Sequence, residues 1–238
     1  MKSVKYLVLS LFVIMQAGYA QEEIDHEVST DVPELHEFHK TIYTLWHKAW
    51  PDKDYEMLKS LIPDIEKGYQ KIKDVELPGI LRHKKDTWDN HVNTLKQYVN
   101  KYKTAAAEGK KQQLLDAAED IHSQFEYLVR TIRPVLKEME EFHKSVYVLF
   151  HYYTPEYDYS KIKETVSGMT VKMEDLMKAE LPQRLEDQKD IYEKAVNNLN
   201  DSVKSLYTIV NQEDNEEAIK RAVNKMHSRY QELEAIFD

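Results

Sequence analysis

Histidine and tyrosine are the residues with the clearest chemical potential in this chain, and their spacing occurs twice. Over 34–51 (ELHEFHKTIYTLWHKAWP) His39, Tyr43 and His47 fall four residues apart, and over 138–155 (EMEEFHKSVYVLFHYYTP) His143, Tyr147 and His151 do the same. That spacing sets each trio on one helix face, about one ~5.4 Å turn between neighbours. A neutral imidazole is the commonest metal ligand among side chains. His122 and His227 form a third matched pair, in Asp120-Ile121-His122-Ser123 and Lys225-Met226-His227-Ser228. His26, His36, His83 and His91 have no matched histidine.

The repetition extends beyond the histidines. Residues 33–103 align with 137–207 without a gap, with 22 of 71 positions identical, so the chain reads as a tandem duplication of one unit. Each unit has apolar residues at helical period, such as Leu35, Phe38, Ile42, Leu45 and Ala49 in the first stretch. Short connections make successive helices antiparallel. The expected fold is therefore all-α: two up-down-up-down four-helix bundles with eight main helices, over 33–133 and 134–238. Residues 21–32 read as an acidic flexible tail.

Local signals set the expected boundaries. Asp54 and Asp158 are candidate N-caps, and Pro51 ends the first helix. Pro63 in one copy and Ser167-Gly168 in the other predict a shared bend in the second helix. At Pro134 the fourth helix is expected to run, kinked, into the fifth.

Residues 1–20 have a basic start, an apolar run from Tyr6 to Met15 and a small-residue exit at Gly18-Tyr19-Ala20. They read as a cleaved signal peptide, which makes the protein exported, periplasmic or secreted. No other stretch is long and apolar enough for a membrane span. The formal charge of -9 becomes -11 when Lys2 and Lys5 leave with the peptide (-9 minus 2). Such a surface argues against nucleic acid as a partner. The chain has no cysteine, so thiolate sites and covalent haem attachment are excluded.

Counting rise along helices one and four from a shared end puts His39, Tyr43, His122 and His47 at depths of roughly 8, 14, 15 and 20 Å. Asp86 of helix three, matched by Asp190, falls at roughly 12 Å. The metal ligands expected are His39, His47, His122, His143, His151 and His227, with Tyr43, Asp86, Tyr147 and Asp190 as additional ligands or supports. His39 is expected to face His122, and His143 to face His227. Such a donor set suits a transition metal, Zn, Cu or Fe, or a b-type haem with paired axial histidines. The ferritin-type pattern is incomplete: Glu119-x-x-His122 and Glu140-x-x-His143 have Asn224 and His36 where the other copy would need Glu.

In helix count and order the chain resembles exported four-helix-bundle metal and haem proteins, some of which also place ligands on the first and last helices. The function expected is metal storage, buffering or transport. The alternative is a cofactor-free interaction or structural protein whose Tyr and His face binds a partner. Nothing in the sequence pairs a nucleophile with a base, so no enzymatic activity is assigned.

Overall fold

The structure is a computed structural model that describes residues 22–212 and 214–237. The signal peptide expected over 1–20 lies outside these residues. Every regular element among them is helical. The chain divides into two compact units, one of residues 29–133 and the other of 134–237 together with 22–28.

In the first unit, α2 (Pro33–Thr44) buries Leu35, Phe38 and Ile42 and runs into a π-helical turn at Leu45–Ala49. Then come α3 (Tyr55–Ser60), α4 (Ile62–Lys73), a 3-10 turn at Gly79–Lys84, α5 (Lys85–Ala107) and α6 (Lys111–Ile132). α2 packs against α4 and α6, and α5 packs against the same two, so α5 lies diagonally across from α2. One apolar core joins them, including Phe38, Leu45, Leu58, Leu95, Tyr102, Ile121 and Phe125. The Tyr102 hydroxyl crosses it to donate to the Leu58 carbonyl at 2.6 Å.

In the second unit α7 (Lys137–Val148) leads into a π turn at Leu149–Tyr153. It is followed by α8 (Tyr159–Lys178), a 3-10 turn at Gln183–Gln188, α9 (Lys189–Gln212) and α10 (Glu216–Glu234). α8 packs on α7 and α9, while α10 packs on α9 and on the π turn. A short helix over 22–27, α1, belongs to this unit.

Several expectations change. Where a flexible tail is expected over 21–32, residues 22–27 are helical and Val32 is buried in the first core. The shared bend is confined to the first copy. There the helix breaks at Leu61, because Pro63 has no N–H to give the preceding turn, whereas α8 runs unbroken through Ser167 and Gly168. α6 does not continue into α7. Arg133 is extended (ψ 129°), as a residue before proline prefers, and helix resumes only at Lys137.

Asp54 and Asp158 do cap their helices, accepting from the Met57 and Lys161 backbone N–H groups at 2.9 and 3.1 Å. Just before each cap stands a pair of wide-turn bonds. Trp50 N–H donates to Leu45 O and Asp54 N–H to Ala49 O, both at 2.9 Å. Their equivalents are Thr154 to Leu149 at 3.0 Å and Asp158 to Tyr153 at 2.9 Å. Lys53 and Tyr157 then take positive φ, 49° and 50°. π turns are rare and concentrate at functional sites. Here one occurs in each copy, and each carries the second histidine of its stripe.

Candidate functional site: a duplicated histidine and aromatic face

Each fourth-helix histidine stacks on a ring from the π turn of its own unit. His122 lies 4.2 Å from Trp46 (centroid to centroid, 8° between planes), and His227 lies 3.8 Å from Phe150 at 11°. The first-helix histidines return the contact. His39 stacks on Phe125 of α6 at 5.7 Å and 11°, and His143 on Tyr230 of α10 at 4.5 Å and 29°. Trp46 and Phe150 are equivalent positions, as are Phe125 and Tyr230, so one interlocked arrangement occurs twice. The sequence signal for it was aromatic character kept at both pairs while the residue type changed.

The π turn brings the second histidine onto this face. Residues in a wide turn advance through a smaller angle than in an α-helix, so His47 and His151 fall closer to the stripe than regular helix would put them. Tyr43 and His47 rings are 4.7 Å apart, and Tyr147 and His151 rings 4.5 Å. His151 meets His227 edge to face at 6.5 Å. In the first unit His122 feels both His47 and His39.

These contacts govern protonation. Burial pushes the His122 imidazole below its usual range; Glu126 opposes this, and the nearby His47 and His39 add to it. Burial likewise lowers His227, with His151 adding to the effect. Both fourth-helix rings are thereby kept neutral, the form that binds a metal.

Of the expected pairings, His122 senses His39 and, more strongly, His47, while in the second unit the ring contact is between His151 and His227. His143 instead has its Nδ1 3.8 Å from Glu234 Oε1, and the same carboxylate accepts from the Tyr230 hydroxyl at 3.0 Å. Asp86 and Asp190 do not join the layer expected of them: both are exposed in the first turns of α5 and α9. His91 of α5 is level with Gln124 of α6, so Asp86, five residues earlier, lies toward the Ile132 end and away from the level of His122.

Outside the matched set, His36 Nε2 lies 2.7 Å from Asp31 Oδ1 at the surface. His91 takes Gln124 at 2.8 Å on Nδ1 and stacks on Tyr127. Among the described residues, no group of three or more His, Asp or Glu side chains is placed to hold one metal ion. No helix among them is long and apolar enough to cross a membrane.

The chain matches no protein-family model, no curated protein and no solved structure.

Proposed function

We propose that the protein is an exported metal-binding protein built as a duplicated up-down-up-down four-helix bundle, with one two-histidine site per repeat. His47 with His122 forms the first site and His151 with His227 the second. The observation that carries this reading is the contact of the His151 and His227 rings in the second unit, with His47 and His122 at the equivalent positions of the first. Metal–nitrogen bonds of ~2.0 to 2.1 Å place each ring centroid about 3 Å from a shared ion, so two ligating rings stand at most ~6.5 Å apart. The 6.5 Å between His151 and His227 is at that limit, and because the rings meet edge to face at 86°, ligation requires one of them to turn its plane toward the shared ion.

Two imidazoles suit Zn, Cu or Fe, with water or a small anion completing the coordination. Such a site releases its ion readily, which favours buffering or transport over long-term storage. Haem is the less supported cofactor, because His39, His122, His143 and His227 already lie against aromatic rings of the facing segments.

Elemental analysis and an absorption spectrum of protein taken from its exported compartment test the proposal, with the His122→Ala/His227→Ala variant beside it. Metal that is lost in the variant supports it. A Soret band replaces it with haem, and protein that neither carries nor takes up Zn, Cu or Fe overturns it.

One observation favours the interaction reading: Tyr43 and Tyr127 are each 49% exposed, more than their apolar rings need to be. Under that reading, Tyr43→Ala abolishes capture of a partner from the same compartment while leaving metal content unchanged.

A further inference from the structure

The two copies of the stripe differ at their central tyrosine. Tyr147 is 5% exposed, and its hydroxyl donates to Glu27 Oε2 of α1 at 2.7 Å. Tyr43, its equivalent, is 49% exposed. The rings themselves sit alike on the next histidine, at 41° and 42° to it. The difference lies in what covers the tyrosine: Glu27 of α1, and the Tyr152 ring 6.2 Å away, where the first copy has Lys48.

A line of contacts therefore runs from Glu27 to Tyr147, from Tyr147 to His151, and from His151 to His227. A hydrogen bond to an ionised carboxylate is among the stronger kinds, and here it fixes a ring that packs on a candidate ligand. We infer that α1 is a strap over the second repeat, with Glu27 and Tyr147 acting as positioning residues for the His151 and His227 pair. Its consequence for metal rests on the function proposed above. His47 and His151 are both exposed, so what differs is the support behind the pair: the second site is preorganised through Tyr147, the first is not, and the two bind the same ion with unequal affinity.

The chain from Gln21 onward serves for the test, with Zn(II) as probe. Tetranitromethane is expected to nitrate Tyr43 readily and Tyr147 slowly, and Glu27→Ala is expected to bring Tyr147 to the Tyr43 rate. Zinc is expected to bind in two steps. Tyr147→Phe, which keeps the ring and removes only the hydroxyl, should weaken the tighter step by about tenfold, in the range for lost support of a ligand. Glu27→Ala should do the same, the double variant no more than either, and Tyr43→Phe should leave both steps unchanged.

Nitration of Tyr147 as fast as Tyr43 in the unaltered chain overturns the strap. Two equal steps, or a tighter step indifferent to Tyr147→Phe, overturn its positioning role. Complete absence of zinc uptake overturns the metal reading instead, and the nitration rates still decide whether the strap exists.

Discussion

Stacking against an aromatic ring does two things for a histidine: it fixes the ring plane and removes part of its hydration. The second effect makes protonation costly for His122 and His227 and ties stability to pH. Both pKa values are lowered in the folded chain relative to the unfolded value of 6.5. The unfolded chain therefore binds more protons below about 6.5, and the stability from the neutral rings is full above that pH and lost as pH falls through the folded values. Urea midpoints measured between pH 8 and pH 5 should fall on the acid side of 6.5, and His227→Gln should flatten part of the slope. A midpoint that rises on acidification contradicts this account. At another residue, Tyr102→Phe should cost about 1 kcal/mol by urea titration, since it deletes one buried hydroxyl bond to Leu58 O.

At the scale of elements, two glycines in equivalent second helices should respond oppositely. A Cβ on Gly68 would collide with the Phe38 ring of the first core, whereas one on Gly168 would meet nothing within 4 Å. Gly68→Ala should therefore destabilise by roughly 1–3 kcal/mol through overpacking. Gly168→Ala should stabilise by roughly 0.5–1 kcal/mol through helix propensity. Paired urea titrations check both, and equal effects of one sign would refute the packing difference.

Which elements could be anticipated follows from how local their causes are. Asp54 and Asp158 announced their caps because capping needs only a side-chain oxygen and the N–H three residues on. The π turns at Leu45–Ala49 and Leu149–Tyr153 were not anticipated, since no residue type specifies a wide turn and their apolar spacing reads as plain helix. Pro63 and Ser167-Gly168 looked equivalent as breakers, yet only proline removes a hydrogen-bond donor. The face shared by His39, Tyr43 and His47 was legible from spacing alone. Its partner rings Trp46 and Phe125 depend on which helices are adjacent, and the level of Asp86 depends on the register of the α5–α6 hairpin.

The whole molecule holds the same face twice, once with its tyrosine bonded to α1 and once with Tyr43 open. Duplication gives the functional proposal an internal control, because each repeat has its own π-turn histidine and its own fourth-helix histidine. The central claim is that these pairs each bind one metal ion. Its most direct measurement is Zn(II) stoichiometry by calorimetric titration of the unaltered chain, His122→Ala, His227→Ala and the double variant, with circular dichroism confirming that each remains helical. The account predicts two ions for the unaltered chain, one for each single variant and none for the double. Stoichiometry that is the same in all four folded proteins would contradict it.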